Sequence, residues 1–379
     1  HAQRGVGGGQ ERTMRVVIAG GGTAGHVFPA LAIADRLRDA GHEVRFVGSG
    51  SGQEASLVPA AGFRFTPVKV DSAQSRLSLR SVRAVWLSVA AMRAVRSVVR
   101  SADVVVGIGG YASAPSILAA RLARRPIVLI EQNSVPGVVN RLGSRWARVV
   151  ATTFQGTAAR LPAGVHVVRT GNPIRRAVAE VAEDARDRRV EALEAFDLEA
   201  GRTTVSVFGG SQGALGLDRI VAATIELLRT RPDLQLLVAA GAGREGEIAP
   251  AASRPGALLV RVVGFIDRMD LALAVTDLAV SRAGSGHLAE LSACGIPAIL
   301  VPYPFATEHH QEENARELAR AGAAEVHLEH DLTPERLMER IEALVDDEPA
   351  RRSMAVAARA WARPDADRRI ADLVVGVAS

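Results

Sequence analysis

The sequence predicts an α/β protein built from two doubly wound, Rossmann-like domains that face one another across a cleft. Three observations predict it. Short runs rich in Val, Ile and Leu recur without polar alternation, which is the pattern of parallel strands covered on both faces. Many of these runs stop at a Gly-rich turn followed by a helical stretch, as at Gly20-Gly-Gly-Thr-Ala-Gly25, Gly109-Gly110 and Gly209-Gly-Ser-Gln-Gly213. The alternation then restarts after the turn-forming segment Thr170-Gly-Asn-Pro-Ile174, so two similar halves follow one another. A chain of 379 residues has room for two ordinary domains.

Taken in order, residues 1–13 are polar and Gly-rich without an apolar core. They read as a disordered extension and not as a secretory signal. The first domain is expected over residues 14–170. Its strands are Arg15–Gly20, Glu43–Gly48, Phe63–Val68, Asp103–Gly109, Pro126–Ile130, Arg148–Thr152 and His166–Val168, with an Arg-rich helical stretch at Leu79–Arg100. The second domain is expected over residues 171–360. A charged helical stretch, Arg175–Glu199, precedes strands at Thr204–Phe208, Leu234–Ala240, Leu258–Val263, Asp277–Val280 and Pro297–Val301. Between the last two strands, Arg282–Gly286 reads as a turn and His287–Cys294 as a helix. From Pro334 the chain is helical until Pro364 breaks it, and residues 361–379 hold a last helix expected to return to the first domain.

Composition narrows the function. Hydrophobic residues make up 48% of the chain and aromatic residues only 4%, so the cores are built of Ala, Val and Leu. No apolar run reaches the roughly 18 residues of a membrane-spanning helix. A single cysteine, Cys294, excludes an internal disulfide and reads as a packed small hydrophobe. The net charge is +5, carried almost entirely by arginine, yet no basic groove studded with aromatics appears, so no nucleic-acid partner is expected.

The loops carry the chemistry. Gly20, Gly22 and Gly25 satisfy G-x-G-x-x-G, but a dinucleotide site needs an acid ending the second strand. Val47-Gly-Ser-Gly50 supplies none, which ranks a sugar nucleotide above NAD or FAD. Gly284 and Gly286 follow a strand and precede a helix, where backbone N–H groups and the helix dipole favour an anion. Glu290, one turn further on, would repel phosphate but suits ribose hydroxyls, and Gln311 and Asn314 are amides suited to sugar hydroxyls. His26 follows the first Gly loop at a helix N-terminus, where the dipole keeps an imidazole neutral and able to accept a proton. Glu131 and Asn133, at the same sheet edge, either bind sugar hydroxyls or cap a helix before Pro136. Glu308-His309-His310 invites a metal, but adjacent residues do not face one way on a helix and no third ligand is evident. No metal or other cofactor is expected.

Several motifs together carry a resemblance: Gly21-Gly-Thr-Ala-Gly-His26-Val-Phe-Pro29, Gly109-Gly-Tyr111, Glu131-Gln-Asn133, Gly171-Asn-Pro-Ile-Arg175, Gly209-Gly-Ser-Gln-Gly-Ala214 and Arg282-Ala-Gly-Ser285 with Glu290. From Met14 to about Ala324 the chain resembles the peptidoglycan N-acetylglucosaminyltransferases, which make lipid II from lipid I. The resemblance implies a GT-B fold and metal-independent, inverting transfer from UDP-N-acetylglucosamine. The implied acceptor is the MurNAc 4-hydroxyl of undecaprenyl-pyrophosphoryl-MurNAc-pentapeptide. It also implies a peripheral place on the cytoplasmic face of the bacterial membrane, with anionic lipid and other cell-wall enzymes as partners. On the same scaffold, transfer to another lipid acceptor and UDP-N-acetylglucosamine 2-epimerisation are the alternatives.

By position, the resemblance makes His26 the catalytic base and sets Thr23, Ala24 and Gly25 along the diphosphate and sugar. Gly110, Tyr111 and Glu131 fall on the acceptor side and Asn133 on the N-acetylglucosamine. Arg175 and Ser211 would hold the diphosphate, and Ile266 the uracil through its backbone. Ser285, Gly286 and His287 would form the phosphate turn, with Glu290 on the ribose and Gln311 on sugar hydroxyls. Ala24 stands where the family commonly has glycine, and Ser285-Gly286-His287 replaces an Ala-Leu-Thr of some relatives. Leu77, Leu79 and Trp86, set among Arg76, Arg80 and Arg83, have the makeup of an interfacial patch drawn to anionic lipid.

Overall fold

Strands without polar alternation stay buried only where helices cover both faces of their sheet, and the chain achieves this twice. The structure is a computed structural model that describes residues 12–21, 24–69, 91–210 and 215–378. The first sheet contains β1 (Arg15–Ala19), β2 (Glu43–Ser49), β3 (Arg64–Val68), β4 (Val104–Gly107), β5 (Ile127–Glu131), β6 (Val149–Thr152) and β7 (Val167–Arg169). Around it lie α1 (Ala24–Asp39), α2 (Glu54–Ala60), α3 (residues 91–101), α4 (Ala114–Leu122) and α5 (Val138–Gly143). The second sheet contains β8 (Thr203–Phe208), β9 (Leu234–Ala239), β10 (Leu259–Val263), β11 (Leu278–Ser281), β12 (Ala298–Leu300) and β13 (Ala324–Val326). Its helices are α6 (Arg176–Glu183), α7 (Arg186–Ala195), α8 (Leu215–Leu227), α9 (Ala249–Ala252), α10 (Met269–Val275), α11 (Ser285–Cys294), α12 (His310–Arg320), α13 (Pro334–Asp346) and α14 (Glu348–Trp361). A further helix, α15 (Ala366–Ala378), follows α14.

Both sheets are parallel throughout, with strand orders β3-β2-β1-β4-β5-β6-β7 and β10-β9-β8-β11-β12-β13. In each sheet the order reverses direction between two neighbours, β1 and β4 in the first, β8 and β11 in the second. Loops leaving the C-terminal ends of such a pair diverge to opposite faces and open a crevice. The Gly turns after β1, β4, β8 and β11 are those loops, and the site lies among them.

The chain passes from the first unit to the second through residues 170–175 and returns after α14. The two passages touch: Arg169 Nη2 donates to the Trp361 carbonyl at 3.0 Å, and its guanidinium lies 5.1 Å over that indole. Phe154 packs on the same ring at 5.4 Å. Beyond this hinge α15 packs on α1, burying Ile370, Ala371 and Val374 with Val16, Ile18 and Ile33 of the first domain. On α12, Glu313 pairs with Arg160 at 2.6 Å, and Glu317 accepts from the amides of Gln155 (2.5 Å) and Gly156 (3.0 Å). These contacts hold the two units together beside the cleft.

Two local differences from the sequence-based expectation have physical causes, and one expected helix falls partly outside the described residues. The edge strand β13, Ala-Glu-Val, is too short to show a period. Helix α11 begins two residues earlier than its apolar spacing indicates, because Gly284 (φ −69°, ψ 132°) is its N-cap and the small residues Ser285 and Gly286 form its first turn. The helix read over Leu79–Arg100 runs from 91 to 101 among the described residues, and its earlier part, with Leu77, Leu79 and Trp86, lies outside them.

Candidate active site

The first domain contributes two stacked Gly turns. After β1, Gly20 and Gly21 take φ of 135° and 141°, backbone that a side chain rarely adopts. Gly21 is also pressed from below, since a Cβ there would sit 2.3 Å from the Glu54 carboxyl carbon. Glu54, almost wholly buried at the start of α2, accepts from the Ser49 amide at 2.8 Å and so ties the end of β2 to this turn. An acid therefore does stand near the second strand, but it lies under the glycines and not at a ribose. The last residues of β2 do not reveal it, because Glu54 comes five positions later, at the start of α2.

The turn after β4 leans on the first: a Cβ on Gly110 (φ 73°) would meet the Gly21 carbonyl at 3.0 Å. His26, in the first turns of α1, faces this second turn, and its Nε2 would stand 3.8 Å from a Cβ on Gly109. Burial pushes the His26 pKa below its usual value. The charge of His310, reaching over from α12, lowers it further, while Glu54 works the other way. The imidazole is therefore neutral at ordinary pH, the form that can accept a proton. Tyr111 is exposed beside Gly110.

Glu131 is engaged by its own loop and by α5. Its Oε1 accepts from the Asn133 amide (2.9 Å), and its Oε2 from the Gly137 amide (3.0 Å) and Asn140 Nδ2 (2.9 Å). Burial raises its pKa against these bonds. Its carboxylate thus faces the loop that carries Asn133 and is engaged there.

In the second domain, Arg175 and Glu290 meet. The guanidinium donates to both carboxylate oxygens, Nε to Oε1 and Nη2 to Oε2, each at 2.7 Å. Arg175 also lies 5.5 Å over the ring of Phe28 from α1. Burial pushes the Glu290 carboxyl up, but nearby His287 and the two hydrogen bonds from Arg175 outweigh it and hold the group below its usual value. The two side chains expected on different parts of a nucleotide are thus each other's partners. His287 Nδ1 stands 3.7 Å from Glu290 Oε2, and its ring sits edge-on to Phe208 at 4.6 Å.

Two side chains beside the α11 turn carry buried polar atoms without a partner among the described residues. Neither polar atom of the Asn172 side chain, which is 1% exposed, has one, and nor does His287 Nε2. Asn172 Nδ2 would lie 3.7 Å from a Cβ on Gly286. Buried polar groups are almost always paired, so orphaned atoms beside the free amides of a helix N-terminus suit a bound anion.

Gln311 is half committed. Its Oε1 accepts from the amides of Ala283 (3.2 Å) and Tyr303 (3.0 Å), bracing the turn after β11 to the loop after β12, which leaves Nε2 for a ligand. Arg282 stiffens the same loop, donating to the carbonyls of Val301 (3.1 Å) and Pro302 (3.2 Å) and pairing with Glu329. Asn314, expected at sugar hydroxyls, is instead fully buried between the domains. Ile266 is buried beside exposed Phe265. Thr23 and Ser211 lie outside the described residues, and of Ala24 only the backbone, opening α1, belongs to them.

The cleft thus joins a neutral imidazole and two Gly turns on one wall to the N-terminus of α11 and a carboxylate on the other. Family comparison agrees with this division. Residues 16–152 match the glycosyltransferase family 28 N-terminal domain and residues 204–370 its C-terminal domain. Two curated relatives are both named UDP-N-acetylglucosamine–N-acetylmuramyl-(pentapeptide) pyrophosphoryl-undecaprenol N-acetylglucosamine transferase. The protein from Nitrosococcus oceani is 40% identical over 368 residues, covering 97% of this chain and 99% of its own. That from Clavibacter sepedonicus is 40% identical over 362 residues, covering 94% and 95%. Among solved structures, MurG of Acinetobacter baumannii superposes with a TM-score of 0.78 at 29% identity, covering 95% of this chain and 99% of that one.

Proposed function

The chain belongs to glycosyltransferase family 28, and from that premise we propose how its cleft performs the reaction its relatives are named for. The enzyme transfers N-acetylglucosamine from UDP-N-acetylglucosamine to lipid I, forming lipid II for peptidoglycan. His26 takes the proton from the MurNAc 4-hydroxyl while that oxygen attacks the anomeric carbon. The bond from that carbon to UDP breaks as the new glycosidic bond forms, and the centre inverts.

The diphosphate lies against the amides of Ser285, Gly286 and His287. Asn172 Nδ2 and Arg175 complete its shell, which stabilises the leaving charge. Glu290 holds the ribose, Gln311 Nε2 a sugar hydroxyl, and Asn133 the N-acetylglucosamine. Gly110 and Tyr111 lie along the acceptor, and Glu131 serves it by holding the Asn133 loop. The observation that carries this reading is the opposition across one cleft of a neutral His26 and a polar lining at the start of α11 that has no partner among the described residues.

No helix among the described residues is long and apolar enough to cross a membrane, so a lipid-linked acceptor is met at a surface. α4 and α5 pack together and expose Leu118, Leu122, Val138 and Leu142, with Trp146 just beyond. Arg121, Arg124, Arg141 and Arg145 are exposed on the same helices and their ends. This apolar face ringed by arginine docks the first domain on the anionic cytoplasmic leaflet.

Incubation with UDP-N-acetylglucosamine and a lipid I analogue tests the reading. The expected product is the β-linked disaccharide with release of UDP. Release of N-acetylmannosamine, or binding without turnover, overturns it.

A further inference from the structure

Asn314 has no exposed surface, yet its side chain makes three hydrogen bonds that span the two domains. Its Oδ1 accepts from the Ser134 amide at 2.8 Å. Its Nδ2 donates to the Ala283 carbonyl at 3.2 Å and to Asn133 Oδ1 at 3.1 Å. Two of these partners leave no choice of orientation, because a backbone N–H can only donate and a carbonyl can only accept. The Asn314 amide is therefore fixed with its nitrogen towards Asn133, and Asn133 must answer with its oxygen. Glu131 meanwhile holds the Asn133 backbone amide at 2.9 Å, so the loop beneath does not turn. What remains is the Asn133 NH₂ group, on a partly exposed side chain and without a partner among the described residues.

We infer that Asn314 is a positioning residue that locks the Asn133 amide with its NH₂ towards the donor sugar, where it reads an acetamido carbonyl. The inference rests on the placement of Asn133 at the sugar proposed above. A hydroxyl rotates to suit either end of an amide, so a locked amide confers nothing against hydroxyls. An acetamido carbonyl only accepts, and a fixed NH₂ rewards it while an amide free to flip would not discriminate. Asn133 belongs to the first domain and Asn314 to the second, so the lock forms only when the cleft is closed. Donor selection is thereby a property of closure and not of the second domain alone.

The test compares full-length Asn133→Asp and Asn314→Asp proteins by calorimetry with UDP-N-acetylglucosamine, UDP-glucose and UDP. Asn133→Asp keeps an oxygen for Asn314 and replaces the NH₂ by an acceptor. Asn314→Asp removes the donor that sets Asn133. In both variants the dissociation constant for UDP-N-acetylglucosamine rises about 10–100-fold, the usual cost of an unanswered hydrogen bond in a built site. Those for UDP-glucose and UDP change by less than about threefold, which also reports that the fold is intact. In an Asn133→Ala background, Asn314→Asp has no further effect on the ratio between the two sugar nucleotides.

Equal losses for all three ligands would mean that Asn314 only closes the cleft, and the inference falls. It also falls if Asn133→Asp leaves UDP-N-acetylglucosamine binding unchanged, which stands as a test even if Asn314→Asp does not fold. A wild-type protein that binds UDP-glucose as tightly as UDP-N-acetylglucosamine would also overturn the inference, whereas loss of disaccharide formation from a lipid I analogue would remove the functional reading itself.

Discussion

At the scale of residues, the site is a set of groups whose neighbours decide their chemistry. His26 is neutral because burial and the His310 charge both disfavour the imidazolium, outweighing Glu54. A base works when unprotonated, so activity is full at neutral pH and is lost as pH falls through a value below the ordinary 6.5 of histidine. Replacing His310 by Gln removes one of the two depressing influences and moves that acid limb upward. A limb unmoved, or moved down, in kcat against pH would separate the two histidines. His26→Ala lowers kcat by about 10²–10⁴-fold while calorimetric affinity for UDP-N-acetylglucosamine holds. A weakened affinity with kcat intact would make His26 a binding residue. The type and place of His26 are legible in the sequence because it abuts a Gly turn after a strand. The Arg175–Glu290 pair is not, since 115 positions separate its members and only the folded sheet brings them together. Glu54 escapes for a related reason: its role is set by glycines at 21 and 48, not by its own neighbours in sequence.

At the scale of elements, the strands are legible because a parallel strand covered on both faces is apolar without alternation. Helix orientation is less so. In α4, Ile117 and Ala120 are buried while Leu118 and Leu122 are exposed, and both stripes are apolar at helical spacing. Composition alone cannot tell which of two apolar faces meets the sheet, and the sequence points instead to Leu77, Leu79 and Trp86. Leu122→Glu combined with Leu142→Glu on α5 is expected to abolish sedimentation with anionic liposomes while turnover of a water-soluble acceptor analogue continues. Undiminished sedimentation of the folded double variant would return the docking surface to some other part of the chain.

At the scale of the whole molecule, the two sheets are joined by two adjacent passages and by the α12 contacts. The second passage ends in α15, whose Ile370 and Val374 are fully buried against the first domain. Ile370→Ala should cost about 2–5 kcal/mol, and hydrogen exchange should quicken in β1 and α1 before it does in β8 or β11. Earlier loss of protection in the second sheet would show that α15 belongs energetically to that domain. The placement of α15 also orders events during synthesis. The residues that complete the first domain are made only after the whole second sheet, so the second domain is in effect an insertion within the first. While the chain grows, the face of α1 that α15 will cover stays open, and the domain translated first is the domain finished last.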